Sequence, residues 1–164
     1  MIDRAIDRNK SCLCTHLAPT IQRLGRQLNQ SGTEIRQRLQ QAGLRPTRQR
    51  VALAELLFAK GNRHLAAEDL HSEAVVSGVP VSLATVYNTL HQFTEAGMLR
   101  ILSIEGSRTY FDTNTSDHHH FFIEDENAVI DVPLSNLKVD NIPEPPEGLE
   151  IANIDIVIRL RRKA

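Results

Sequence analysis

Cysteine is almost absent from this sequence. The 164 residues include two, Cys12 and Cys14, separated by a single position. That is too few for a disulfide framework, and the spacing is poor for a mutual bridge. No apolar run approaches the ~20 residues needed to span a bilayer. The N-terminus has no continuous apolar segment of the kind that marks a secretory signal, so the expected location is the cytoplasm. Internal repeats and low-complexity tracts are missing as well. So is the HExxH spacing of zinc hydrolases, and phenylalanines follow the histidine run at 118–120. A metal-dependent hydrolase needs convergent ligands, an open position and a general base, so an enzyme is not expected.

What is present is charge, unevenly placed. The net charge is −1 and 41% of residues are hydrophobic, a composition that fits a globular protein. Residues 1–31 carry five basic and two acidic groups, residues 32–114 nine and eight, and residues 115–164 five and ten. Between Arg36 and Arg50 lie Arg36, Arg38, Arg45, Arg48 and Arg50 with no carboxylate among them. Such a stretch can neutralise phosphates even when the whole chain is nearly neutral. On charge alone it equally describes a solvated helix face.

Periodicity divides the chain into three parts. Residues 1–30 read as a tail. Residues 31–114 read as three or four helices followed by a hairpin, the order of a winged helix-turn-helix. Ser31-Gly32-Thr33-Glu34 has capping-box spacing, and Gly43 can close the first helix in the left-handed region. Thr47 caps a second helix to about Lys60. A third covers about Ala66–Val76, with Ala67, Leu70 and Ala74 inward and no capping side chain just before it. Ser82 caps a fourth, Leu83–Glu95, stopped by Gly97. Leu99–Ile104 and Ser107–Asp112 are strand-like runs joined at Glu105-Gly106. Residues 115–164 are β-rich and acidic. Strands are expected at Phe121–Ile123, Ala128–Val132 and within the alternating run Leu149–Leu160, with a short helix and a proline-rich link between Pro133 and Pro146. About 50 residues bury too little surface to fold well alone, so this part is expected to be a small α/β dimerisation domain completed by a second copy. The fold class is α+β.

The fourth helix has two unlike faces. At ~100° per residue, Leu83, Val86, Leu90 and Phe93 cluster inward. Ala84, Thr85, Asn88 and Gln92 point outward, and Tyr87 sits at the boundary. This small, uncharged face can enter a major groove and offer methyl and hydroxyl groups to base edges. Arg45, Arg48, Arg50, Arg100 and Arg108 would then hold phosphates and set register.

Three segments make the reading specific: Ala42-Gly43-Leu44-Arg45-Pro46-Thr47-Arg48-Gln49-Arg50, His64-Leu65-Ala66-Ala67-Glu68-Asp69-Leu70 and Val81-Ser82-Leu83-Ala84-Thr85-Val86-Tyr87-Asn88-Thr89-Leu90. With Tyr110-Phe111-Asp112 and His118-His119-His120, they resemble the ferric uptake regulator family from about Ser31 to the C-terminus. Within it, the unbroken histidine tract and missing cysteines resemble the haem-responsive iron response regulator branch. The resemblance implies a DNA-binding transcriptional regulator, mainly a repressor, of iron homeostasis and haem biosynthesis genes, responsive to haem; the alternative is a metal- or peroxide-responsive repressor using a metal site between the two domains. It would act on a double-stranded operator as a homodimer or higher oligomer. Tyr87 matches the family tyrosine that contacts bases, and Arg45 a basic residue near the minor groove. Arg50 matches an arginine on the first long helix. Asn88 stands where many relatives have arginine.

The resemblance also implies ligand sites. His64, Asp112, His118, His120 and Asp131 map to a regulatory metal site, and imidazole with carboxylate suits Fe(II), Mn(II) or Zn(II). A second family site would use Asp117, His119 and a residue near Ile154, but its fourth position is Lys138, and an ammonium is no ligand. With no cysteine after Cys14, a structural four-cysteine zinc is excluded. The branch implicates His118, His119 and His120 in haem binding, and imidazole is a normal axial ligand. On a strand, His118 and His120 would share a face and His119 would face away. Either His119 meets haem while its neighbours keep a metal, or haem competes for His118 and His120. Phe121, Phe122 and Tyr110 could supply surface for a porphyrin. The Cys-Pro haem motif of some relatives is missing, since Leu13 follows Cys12 and Thr15 follows Cys14. Cys12, Cys14 and His16 are left as incidental tail residues.

Overall fold

The computed structural model describes residues 32–104, 106 and 108–163. The expected tail, with Cys12, Cys14 and His16, lies outside the described residues, as does the Ser31 cap. Helix α1 runs over residues 32–41, α2 over Arg48–Phe58, α3 over Ala67–Val76 and α4 over Leu83–Glu95. The capping chemistry set these limits. The Thr47 hydroxyl accepts the Arg50 N–H, and the Ser82 hydroxyl accepts that of Thr85. At the other end of α4, Met98 N–H reaches back to Phe93 O and Gly97 N–H to Thr94 O, at 2.8 and 2.9 Å. That pattern needs a left-handed residue, and Gly97 supplies it at φ +69°. Helix α3 has a partial cap. Ala66 has no side-chain acceptor, but Asp69 Oδ2 accepts the Ala66 N–H at 3.0 Å. One orphan donor is thereby satisfied from inside the first turn.

The four helices bury the stripes expected of them. Ile35 and Leu39 of α1, Val51, Leu53, Ala54 and Leu57 of α2, and Ala67, Leu70 and Ala74 of α3 meet Val86, Leu90 and Phe93 of α4. A three-stranded sheet closes this core, in the order β1-β3-β2: β1 His64–Ala66, β2 Arg100–Leu102 and β3 Tyr110–Asp112. Strands β2 and β3 are the expected hairpin, shorter than the apolar runs that announced it. Strand β1 was not expected. It places His64 directly opposite Asp112, and β2 places Arg100 opposite the same residue.

The second sheet has the order β5-β4-β6, with β4 His119–Ile123, β5 Ala128–Val132 and β6 Val157–Leu160. Strands β4 and β5 are antiparallel, with His120 opposite Asp131. Strand β6 is parallel to β4 and starts at Val157, opposite His120. The alternation from Leu149 therefore overstates it, because β4 begins at His119 and offers no ladder to residues before that point. Between β5 and β6, only Leu134–Asn136 forms a helical turn, of the 3-10 type. A second, smaller core of Leu102, Ile104, Tyr110 and Phe122, with Val129 and Val157 against it, ties the two sheets together. No helix among the described residues is long and apolar enough to cross a membrane.

Candidate metal centre and DNA-reading face

Two cross-strand pairs, one from each sheet, build a single cluster. In an antiparallel ladder, directly opposite residues project to the same face. The register thus delivers His64 with Asp112 from the first sheet and His120 with Asp131 from the second. His118, two positions before His120, joins from the same face. One ligand-type atom from each of these five residues lies within 4.8 Å of all the others. Around a single first-row ion, two ligands 2.0–2.2 Å from the metal are at most ~4.4 Å apart, so the five atoms are gathered on the scale of one coordination sphere.

One polar atom of each residue in the cluster lacks a directed hydrogen bond. Asp112 is fully buried, and its Oδ2 lies 3.0 Å from His118 Nε2 and 3.5 Å from His120 Nε2. His64 Nε2 is 2.8 Å from Asp131 Oδ1 and 3.6 Å from Asp112 Oδ1. Among the described residues, seven buried side-chain nitrogens or oxygens lack a directed hydrogen bond, and five of them are His64 Nε2, Asp112 Oδ2, His118 Nε2, His120 Nε2 and Asp131 Oδ1. Unsatisfied buried polar groups are costly, so five aimed at one point mark a ligand site. Three imidazoles and two carboxylates fit Fe(II), Mn(II) or Zn(II).

Supporting contacts orient the ligands. His118 Nδ1 lies 2.7 Å from Ser116 O. A carbonyl can only accept, so Nδ1 carries the hydrogen and Nε2 presents its lone pair. Asn114 N–H donates to Asp112 Oδ1 at 2.7 Å, and its side-chain amide to Asp131 Oδ2 at 3.3 Å. Burial pushes the His64 imidazole below its usual pKa against the pull of Asp112 and Asp131, which keeps it neutral, the ligating form. Burial pushes the Asp112 carboxyl up. The His120 imidazole, the Asn114 N–H and the neighbouring histidines outweigh that and hold it below its usual range.

His119 faces the other way, as the strand alternation requires. It lines a pocket of about 410 Å³ with Asp117, His118, Asn153 and the aliphatic residues Leu134, Leu137, Val139, Ile151 and Ile154. Its Nδ1 is another of the unsatisfied buried atoms. The second family site expected near Asp117, His119 and Ile154 is thus a mainly aliphatic hollow. Leu137 and Val139 line it on either side of Lys138 in sequence, and Lys138 does not. All three histidines of the tract are buried, unlike an adventitious exposed run. Tyr110 and Phe122 pack against each other in the small core, 5.8 Å between ring centres, and take no part in this pocket.

Helix α4 shows the expected division. Ala84 and Asn88 are exposed, Thr85 and Tyr87 half-buried, and Val86, Leu90 and Phe93 enclosed. The Tyr87 hydroxyl donates to Glu68 Oε1 at 2.6 Å. That bond holds the Glu68 carboxyl below its usual pKa and raises that of Tyr87. Arg45 and Arg48 are exposed. Arg50 is engaged internally: its guanidinium grips Gln92 Oε1 of α4 at 2.7 and 3.1 Å and Arg45 O at 2.9 Å. It therefore positions α4 against α2. Arg108 pairs with Asp69 at 3.1 Å, and Arg100 bonds Ser116 O and Asp155. Neither of these two is a free phosphate donor as expected. The links through Glu68, Gln92, Ser116 and Asp155 escaped the sequence reading, because each joins elements remote in the chain by one side chain with no motif around it.

Comparison with known proteins agrees with this arrangement. The ferric uptake regulator family profile matches residues 41–159. The ferric uptake regulation protein of Pseudomonas aeruginosa is 32% identical over 129 residues, 76% of this chain and 95% of that one. That of Escherichia coli K12 is 39% identical over 82 residues, half of this chain and 55% of its own length. Among solved structures, the manganese-containing regulator from P. aeruginosa superimposes with TM-score 0.61 at 28% identity, covering 78% of this chain and 97% of that one. The Vibrio cholerae regulator gives 0.62 at 24% identity over 77% and 98%, a likeness of fold. The chain belongs to the ferric uptake regulator family.

Proposed function

We propose that the chain is a sequence-specific, DNA-binding transcriptional regulator, mainly a repressor, of iron homeostasis. In this reading, a divalent ion held by His64, Asp112, His118, His120 and Asp131 couples the winged-helix domain of residues 31–114 to the domain of residues 115–164. The convergence of five unsatisfied atoms from two separate sheets carries it. An ion bound there favours one arrangement of the two sheets over others, the differential affinity that a regulatory ligand requires. The relative from P. aeruginosa, whose structure contains manganese, supports the choice of metal. Tyr87, Thr85, Asn88 and Ala84 would read base edges, while Arg45 and Arg48 hold phosphates and Arg50 braces the reading helix. The exposed apolar residues Ile130, Leu134, Val139, Ile142, Leu149 and Ile151 support a homodimer formed through the second domain, which would present two reading helices to a pseudo-palindromic operator.

Haem is the second effector in this reading, and haem biosynthesis genes are among the targets. The His119 pocket, with its unsatisfied imidazole nitrogen and aliphatic lining, favours His119 as the haem ligand while His118 and His120 stay with the metal. The test is an operator obtained by selection from random duplexes, followed by mobility shifts of the whole protein with Mn(II), with chelator and with haem. Operator binding should respond to Mn(II) and fall on adding haem. His119→Ala should lose the haem effect and keep the metal effect. Loss of the haem effect in His118→Ala but not in His119→Ala would reverse the assignment. The absence of any sequence-selected duplex would end the regulator reading.

A further inference from the structure

We propose that Arg100 is a positioning residue that transmits occupancy of the metal cluster to the winged-helix domain, through the backbone carbonyl that orients His118. The proposal rests on the cluster being a metal site. Arg100 lies on β2, across the ladder from Asp112, which is itself across from His64. The three side chains therefore form one row on one face of the first sheet, and Arg100 is the member that is not a ligand. Its side chain is 18% exposed, enough enclosed to be held in one direction.

The guanidinium makes two short bonds with different destinations. One N–H donates to Ser116 O at 2.7 Å, and the other to Asp155 Oδ1 at 2.6 Å. Ser116 O is the acceptor that also receives the His118 Nδ1–H at 2.7 Å. A carbonyl has two lone pairs, so the wing strand and the metal ligand share one oxygen. Asp155 is steadied from its other oxygen by Asn153 Nδ2 at 3.0 Å. It precedes Ile156, whose carbonyl accepts the His120 N–H at 3.0 Å. Arg100 thus touches the supports of two ligands, His118 through Ser116 and His120 through the strand that begins beside Asp155.

The consequence follows from hydrogen-bond chemistry. When a cation engages His118 Nε2, the Nδ1–H becomes a stronger donor, and Ser116 O is drawn more firmly toward the imidazole. Ser116 belongs to the connection between β3 and β4, so the carbonyl fixes how the second sheet leaves the first. Arg100 is bonded to that same oxygen and is rooted in β2, a strand of the wing hairpin itself. Its fork serves both acceptors in fixed directions, which a lysine ammonium does not reproduce. A contiguous route of this kind counts as coupling only when the two ends are shown to depend on each other.

The experiment measures operator binding by the full chain with Mn(II) and with chelator, and Mn(II) binding without DNA, for the parent, Arg100→Met, Asp155→Asn and the double variant. In Arg100→Met, operator affinity in chelator should stay within about twofold of the parent, and Mn(II) should still bind the free protein. The Mn(II)-induced gain in operator affinity should fall about tenfold. By linkage, the gain in Mn(II) affinity on adding operator must shrink by the same factor. Asp155→Asn should lower the gain in the same direction, and the double variant should add little to Arg100→Met, as members of one network do. A merely structural role for Arg100 would weaken operator binding equally with and without Mn(II), and that outcome overturns the proposal. So does a full parental gain in Arg100→Met. If Arg100→Met does not fold, Asp155→Asn decides by the same two criteria. A parent that binds no Mn(II), or whose operator affinity ignores it, brings down the metal reading itself and this proposal with it.

Discussion

Replacing Asp112 with asparagine should abolish metal-induced stabilisation while keeping the shape of the site. Asp112 is the fully buried ligand candidate that lies within 3.6 Å of all three imidazoles. Asparagine is isosteric but lacks the charge. A ligand that binds only the folded state stabilises it by RT ln(1 + [L]/Kd), about 2.7 kcal/mol at a hundredfold excess over Kd. For a chain of this size each kcal/mol moves the melting temperature by about 2–4 °C, so the parent should gain roughly 5–11 °C. Even outer-shell partners of a metal site are worth 10–100-fold in affinity, so loss of a buried anionic ligand should cost at least ~100-fold. At the same Mn(II) concentration the variant then gains about 0.4 kcal/mol, or 1–2 °C. The chain has no tryptophan, so the melt is followed by circular dichroism or a dye. Each protein is compared with itself in chelator, which removes any difference in metal-free stability. An Asp112→Asn protein that keeps the full parental shift would show that these five residues do not hold the ion.

Further outcomes follow from the helical body and its surface. Phe93→Ala empties a fully buried position in the core of α4 and should cost about 3–5 kcal/mol in urea unfolding, without touching the reading face. Glu73 is held below the usual carboxylate range by Arg63 first and Lys60 second, through bonds of 2.6–3.0 Å. Its contribution is therefore full above the unfolded pKa and lost as pH falls through the lower folded value. The stability difference between parent and Glu73→Gln should be about 1 kcal/mol at neutral pH and shrink on acidification below the ordinary carboxylate range, as unfolding at neutral and acid pH would reveal. Asn88→Ala should weaken operator binding by about 1–3 kcal/mol and leave random duplex unaffected. Arg48→Ala should weaken both alike and lower the salt slope by about one, seen in titrations at several salt concentrations.

Much of this was legible in the sequence because local chemistry decided it. Thr47 and Ser82 cap the helices they were expected to cap, and the inward stripe of α4 is Val86, Leu90 and Phe93 as its spacing requires. The five ligand candidates were named through the family resemblance, and the opposite facing of His119 came from strand alternation. What stayed hidden depends on partners far along the chain. Strand β1 has three residues, too few to show a period, and exists because β3 offers a ladder to His64. Strand β6 reads longer than it is, since its length is limited by β4. Arg50 and Arg100 look like phosphate donors when only their charge is visible. Their side-chain acceptors, Gln92 and Asp155, are 42 and 55 residues away, beyond any pattern that spacing can reveal.

Anomalous diffraction from crystals of the Mn(II)-loaded protein goes to the centre of the matter. One strong peak should stand within coordination distance, about 2.0–2.3 Å, of the nitrogens of His64, His118 and His120 and the oxygens of Asp112 and Asp131. A peak elsewhere, or manganese confined to surface carboxylates with these five side chains apart, would contradict it.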